Sequence, residues 1–153
     1  MKLKVLLLFL SAAVFLVFIS SCIRRPDSVI DGTHVWTKST IHYHLNSEAN
    51  DQTERAVIST FRQWEKVTGF SFRYEGRHSA GLRRDGKNTV SFLLVWPSDI
   101  PMGKVGYCRC WYDPDGHIIE ADIIFNMQIA RFTTLETKSE NSYYIEVVLA
   151  HEI

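Results

Sequence analysis

One long amphipathic segment, with strand patterns on both sides, limits the possible folds of this chain more than any other feature. Within Asp51–Thr68 the large apolar residues recur every three or four positions, which indicates a helix with one buried face. Asp51 is expected to cap the helix, with Glu54 as its capping-box partner and Gly69 as the residue that ends it. A single long helix set among strands predicts an α+β domain.

Five segments carry strand patterns. The first, residues 39–45, alternates and places His42 and His44 on one face, which is either a metal-binding pair or, as we favour, a solvated face. The other four strand segments are residues 70–74, 89–96, 103–112 and 117–126. The turn sequence at residues 113–116 separates the last two, and the charged residues 77–87 are predicted to form a solvated loop.

A second helix pattern begins near residue 139, with Ser139 or Asn141 as the expected cap. Its packed face is expected to carry Tyr144, Val147, Val148 and His151. The helix pattern is still running at Ile153, where the sequence ends without a capping residue. We therefore expect this chain to be the N-terminal part of a longer domain.

The first 21 residues have the pattern of a secretory signal. Lys2 and Lys4 precede an apolar run at residues 5–19, which is shorter than the ~20 residues that span a bilayer. Residues 19–22, Ile-Ser-Ser-Cys, resemble the lipobox of bacterial lipoproteins, which implies cleavage before Cys22 and a lipid on its sulfur. The alternatives are a plain secretory signal, in which Cys22 has no such role, and an uncleaved anchor. We predict an exported protein, either a membrane-anchored lipoprotein or extracellular, with residues 22–34 as a tether.

Charge and cysteine content narrow the classes of partner. Lys and Arg number 17, as do Asp and Glu, so no basic surplus exists to displace counterions, and we expect no nucleic-acid partner. Cys108 and Cys110 lie two apart in a strand segment, a separation at or beyond disulfide reach. No second pair with zinc-finger spacing lies nearby, so we expect half-buried side chains without a bond between them.

Four segments, in order, carry a resemblance to a known family. Trp36 with residues 39–45 is similar to the tryptophan and first strand of that family, and residues 56–72, AVISTFRQWEKVTGFSF, to its first helix and second strand. Residues 116–126, GHIIEADIIFN, are similar to its fifth strand, and residues 148–153, VLAHEI, to the beginning of its zinc helix. From residue 35 to residue 153 the chain thus resembles the catalytic domain of the bacterial members of the matrixin branch of the metzincin metallopeptidases.

The resemblance implies a fold and a chemistry. The implied fold is the N-terminal subdomain: a twisted five-strand sheet, mostly parallel with one antiparallel edge strand, a long first helix and the start of the zinc helix. In the motif His-Glu-x-x-His two histidines bind zinc and the glutamate is the general base. His151 corresponds to the first zinc ligand and Glu152 to the base, whereas the other two histidines would stand at positions 155 and 161. One imidazole does not hold a catalytic zinc ion, so the chain as given is expected to be inactive.

The implied function is that of a zinc endopeptidase acting on a peptide or protein substrate, with residues 105–111 as the edge strand that aligns the substrate. Glu120 and Asp122 lie where animal members bind structural calcium, so Ca²⁺ is a second candidate ion. One alternative is a non-catalytic surface lipoprotein domain that binds a peptide or protein partner. Another is an unrelated α+β binding domain in which His151 and Glu152 are an ordinary helix end.

Overall fold

The computed structural model describes residues 35–79 and 81–153. The predicted signal peptide (1–21), the lipidation site Cys22 and the tether (22–34) lie outside the described residues. The described elements are β1 (Thr40–Asn46), α1 (Asp51–Thr68), β2 (Ser71–His78), β3 (Asn88–Leu93), β4 (Gly106–Tyr112), β5 (Ile118–Asn126), β6 (Phe132–Thr133), β7 (Tyr143–Tyr144) and α2 (Ile145–Glu152). Neither of these two helices is long and apolar enough to cross a membrane.

The main sheet has five strands in the order β2-β1-β3-β5-β4. Strands β2, β1, β3 and β5 run parallel, and β4 pairs antiparallel with β5 at one edge of the sheet. The predicted α+β class and mostly parallel five-strand sheet are confirmed. The short parallel pair β6-β7 was not predicted, because two-residue strands leave no periodic pattern in the sequence.

Helix α1 has the predicted bounds but a different cap. The side chain of Asn50 accepts a hydrogen bond from the Thr53 N–H at 2.8 Å, so Asn50 is the N-cap and the assignment to Asp51 was wrong. Asp51 lies in the first turn, where its carboxylate pairs with Arg77 at 2.6 Å. Gly69 ends the helix with φ 76, as expected of a residue that must adopt the left-handed conformation.

Both helices pack on the same face of the sheet. The core between them contains Tyr43, Leu45, Val57, Phe61, Val90, Ile123, Phe125, Ile145, Val148 and Leu149. Loops cover much of the opposite face, where a smaller cluster forms around Trp96, Ile100 and Ile124. The central part of β3, with Thr89, Val90 and Ser91 buried, is therefore covered on both sides. The apolar segment 89–96 was predicted as one strand, but the strand ends at Leu93, and Leu94 and Val95 are exposed.

Helix α2 begins later than predicted. Tyr144 is its N-cap, so the assignment to Ser139 or Asn141 was wrong. Asn141 has φ 56, in the left-handed region, whereas an N-cap residue is extended. The N–H of Tyr143 donates to the Arg131 carbonyl at 2.8 Å, which holds the chain in β7 until Tyr144. The helix can start only after this pairing.

The packed face of α2 also differs from the prediction. Its buried residues are Ile145, Val148, Leu149 and Glu152. Val147 is exposed, and so is His151, which the sequence pattern had placed on the packed face. Glu152 takes the buried position instead, because α2 is oriented by its contacts with α1 and β4 rather than by its own apolar pattern.

Candidate functional site

The last turn of α2 presents two adjacent side chains to different environments. His151 is exposed, whereas Glu152 is only 8% exposed. Burial raises the pKa of the Glu152 carboxyl, while the positive charges of His151 and Lys104 and the backbone N–H of Cys108 oppose that rise. A partly desolvated carboxyl with one donor from the neighbouring strand is poised to exchange a proton more readily than a solvated glutamate.

The strand beside Glu152 is the antiparallel edge of the sheet. The Asn126 N–H donates to the Val105 carbonyl at 2.9 Å, so every second residue of β4, counted from Val105, is hydrogen-bonded to β5. The residues between them are Gly106, Cys108 and Cys110, and their backbone N–H and C=O groups point away from β5. The carboxyl of Glu152 therefore reaches the open edge of β4 through its hydrogen bond with Cys108.

Gly106 permits this close approach of helix to strand. A Cβ atom at this position would lie 2.7 Å from Val148 Cγ1 and 3.1 Å from Glu152 Oε1. Any other residue would therefore displace α2 or the carboxyl of Glu152. Sequence reasoning missed Gly106, because no turn signal surrounds it and its partners lie more than forty residues away along the chain.

A group of possible metal ligands lies in the turn between β4 and β5. The ligand atoms of Asp113, Asp115 and His117 all fall within 4.8 Å of one another. In the described part of the chain no other three His, Cys, Asp or Glu side chains meet that condition, and this group does not include His151. Asp113 also accepts the backbone N–H of His117 at 2.8 Å. The predicted zinc ligand and the observed ligand group are thus separate.

The two carboxylates considered for calcium hold a loop instead. Glu120 accepts the N–H groups of Asp85 at 2.9 Å and Gly86 at 2.7 Å, one on each oxygen. Asp122 accepts those of Arg83 at 3.0 Å and Thr89 at 2.9 Å. With all four oxygens occupied by N–H donors, the arrangement favours anchoring of residues 83–89 over coordination of a cation. Arg77 and His78, predicted as part of this loop, belong to β2, whereas the rest of the loop is charged and partly exposed as predicted. Its backbone is nevertheless held against the sheet.

Asp122 gives this anchor a pH dependence. Burial raises its pKa from 3.8 to about 7, assisted by the charges of Glu120 and Asp85 and opposed by the N–H donors of Arg83 and Thr89. Between pH 4 and 7 the Asp122 carboxyl therefore carries a proton in the folded protein but not in the unfolded chain. The stability that this protonation gives the folded protein is lost as the pH rises through 7. We expect the free energy of unfolding of the wild type, minus that of Asp122→Asn, to be larger at pH 5 than at pH 8. Urea unfolding of both proteins at the two pH values measures this difference, and a pH-independent difference would contradict it.

The other candidate ligands are separated by the fold. His42 is exposed and pairs with Glu75 at 2.6 Å, as on a solvated face, whereas His44 is half-buried beside His78. The sulfurs of Cys108 and Cys110 are 3.9 Å apart, so these residues are not bonded to each other. Burial raises the pKa of the Cys110 thiol to about 11, which makes it a poor nucleophile at neutral pH.

No protein-family model matches the chain, and no curated protein matches it. The function proposed below therefore rests on the residues of this chain and their arrangement.

Proposed function

We propose that this chain is the N-terminal part of a matrixin-type zinc endopeptidase, with His151 as a zinc ligand and Glu152 as the general base. The observation that carries the proposal is the placement of an adjacent His-Glu pair at the end of a helix that packs beneath an antiparallel edge strand. The order of elements, with a long helix between the first two parallel strands, agrees with the resemblance of the sequence to that family.

The residues present do not by themselves hold a catalytic zinc ion. Such an ion takes three protein ligands and keeps one position open, and among the described residues His151 belongs to no group of three possible ligands. The proposal therefore requires two further histidines, at positions 155 and 161 by the resemblance. What the chain itself supplies is one exposed imidazole, a buried carboxyl and the strand that would align a substrate.

Glu152 has the surroundings that a general base needs. Its carboxyl is buried against β4 and accepts the Cys108 N–H, so its orientation is fixed relative to the edge where an extended peptide would add a strand. A raised pKa brings the carboxyl closer to the working pH, at which it takes a proton from water and later returns it to the leaving amine.

The first experiment is to sequence the gene beyond codon 153. An in-frame continuation as Gly-His-x-x-Gly-x-x-His would supply the missing ligands and support the peptidase. An immediate stop codon would leave one imidazole and overturn it, because a lone histidine cannot hold the metal.

For the product of an open frame, we expect chelator-sensitive hydrolysis of a fluorogenic peptide, and Glu152→Gln should lower kcat by about 100- to 10,000-fold while leaving bound zinc unchanged. The amide cannot accept a proton from water but has nearly the same shape as the carboxyl. Glu140→Gln, at an exposed position outside the helix, is the matched control and should retain full activity. Full activity of Glu152→Gln would exclude this residue as the base.

A second candidate function is a non-catalytic surface domain that binds a peptide or protein at the open edge of β4. The observation that favours it is the position of β4 at one edge of the five-strand sheet, where an added strand needs no metal to pair. Peptide binding that persists in Glu152→Gln without any hydrolysis would support this function over the first.

Export and lipidation at Cys22 form a separate proposal that rests on the sequence of residues 1–22. Metabolic labelling with a radioactive fatty acid tests it. The label should be present in the wild type and absent from Cys22→Ala.

A further inference from the structure

A group of exposed apolar side chains lies at the end of the main sheet where β3 and β5 leave it. Five large apolar residues of this region are between 43% and 81% exposed, and we call them the apolar rim: Leu94, Val95, Met102, Met127 and Ile129. The first two follow β3, the last two follow β5, and Met102 precedes β4. Single exposed apolar residues are common, whereas a group gathered from three segments indicates an interaction surface.

Hydrogen bonds hold these three segments together. The N–H of Met127 donates to the Leu93 carbonyl at 2.9 Å, which joins the segment after β5 to the segment after β3. The side-chain amide of Asn126 donates to the Met102 carbonyl at 3.2 Å, which joins the segment before β4. Every member of the apolar rim therefore forms one of these bonds or lies within two residues of one.

The charges along the same segments are predominantly positive. Residues 94–104 and 127–131 contain two exposed basic residues, Lys104 and Arg131, and one acidic residue, Asp99. The carboxylate of Asp99 accepts a hydrogen bond from the Arg109 guanidinium at 2.6 Å, so its charge is compensated within the domain. Three basic residues minus one acidic residue give a local charge of +2, on a chain whose formal net charge is zero.

We propose that the apolar rim docks on an anionic phospholipid bilayer. Its aliphatic and methionine side chains enter the interface, and Lys104 and Arg131 lie near the lipid phosphates. At 81% exposure Val95 projects from the fold, as an inserting side chain must. A second copy of this chain is a poorer partner, because self-association through the rim would bring like charges together.

The proposal is independent of the peptidase chemistry, and it gives a lipid-anchored chain a second contact with the same membrane. Residues 22–34 span at most about 45 Å when fully extended. A lipid on Cys22 would therefore keep the apolar rim at a high effective concentration near the bilayer, so even a weak affinity of the rim would suffice.

The test is co-sedimentation of residues 22–153, the mature chain that the signal sequence predicts, with phospholipid vesicles. Cys22→Ala removes the lipid, and the chain keeps every described residue without the apolar run at residues 5–19, which would itself bind vesicles. We expect binding to phosphatidylglycerol vesicles and at least tenfold weaker binding to phosphatidylcholine vesicles. Val95→Asp should weaken binding to phosphatidylglycerol about 30- to 100-fold, because it replaces an inserting side chain by a negative charge.

Val67→Asp is the matched control, since Val67 is 77% exposed and lies on α1, which contributes no residue to the apolar rim. It adds the same charge and should lower the affinity less than about threefold. Failure of the parent chain to bind phosphatidylglycerol, or equal losses in the two variants, would overturn the proposal. A dimer that Val95→Asp abolishes in sedimentation velocity, formed by a chain that binds no vesicles, would also overturn it and assign the rim to a second copy.

Discussion

Replacement of Phe125 by alanine is expected to lower the free energy of unfolding by about 3–5 kcal/mol. Phe125 is fully buried on β5, with its ring stacked on Phe92 at a centroid distance of 4.5 Å and in edge contact with Phe132 at 5.1 Å. The substitution removes the apolar contact area and leaves a cavity that rigid neighbouring strands cannot fill. Urea unfolding followed by far-UV circular dichroism measures the loss.

The matched control is Ile129→Ala, a few residues downstream of Phe125. Ile129 is 48% exposed, so its truncation should change the free energy of unfolding by less than about 0.5 kcal/mol. If the two variants were equally stable, the core would not lie between the sheet and the helices as described.

Replacement of Glu120 by alanine is expected to cost about 2–3 kcal/mol and to release the loop that contains Asp85 and Gly86. Glu120 is 2% exposed and accepts the N–H groups of both loop residues. Hydrogen bonds to an ionised carboxylate are among the stronger ones, and their loss leaves two backbone donors without a partner. Part of the cost is offset because Glu120 repels the neighbouring carboxylate of Asp122.

Two measurements test this second prediction. Amide hydrogen exchange of Asp85 and Gly86 should accelerate in Glu120→Ala, and the pKa of Asp122 should fall below about 7 because a like charge has been removed. Glu136→Ala is the control, since Glu136 is 68% exposed and lies 3.8 Å from Arg55 in a solvated pair worth less than about 1 kcal/mol. Unchanged exchange in Glu120→Ala would show that other contacts hold the loop.

The sequence by itself determined those elements whose stabilising pattern is local. Helix α1 was predicted with its correct bounds because its apolar stripe and Gly69 lie within one continuous segment. The five main strands and the turn between β4 and β5 were predicted for the same reason, although β2 continues to His78 instead of ending at residue 74 and β3 ends at Leu93 instead of residue 96. The α+β class and the mostly parallel sheet were also predicted. Even here, the sequence did not distinguish Asn50 from Asp51 as the N-cap, because both residue types are good N-caps. The backbone geometry decided for Asn50.

Only the tertiary structure decided the features that depend on distant residues. The start and facing of α2 follow from the β6-β7 pairing and from contact with Gly106, neither of which leaves a periodic signal. The approach of His78 to His44 required an irregularity in the pairing of β1 with β2, where Tyr43 lies opposite Tyr74 but Leu45 lies opposite Arg77. The role of Glu120 and Asp122 required the loop to fold back on β5. The N–H donors of these two buried carboxylates lie more than thirty positions away along the chain, a pairing set by the packing of the whole domain and not by local propensity.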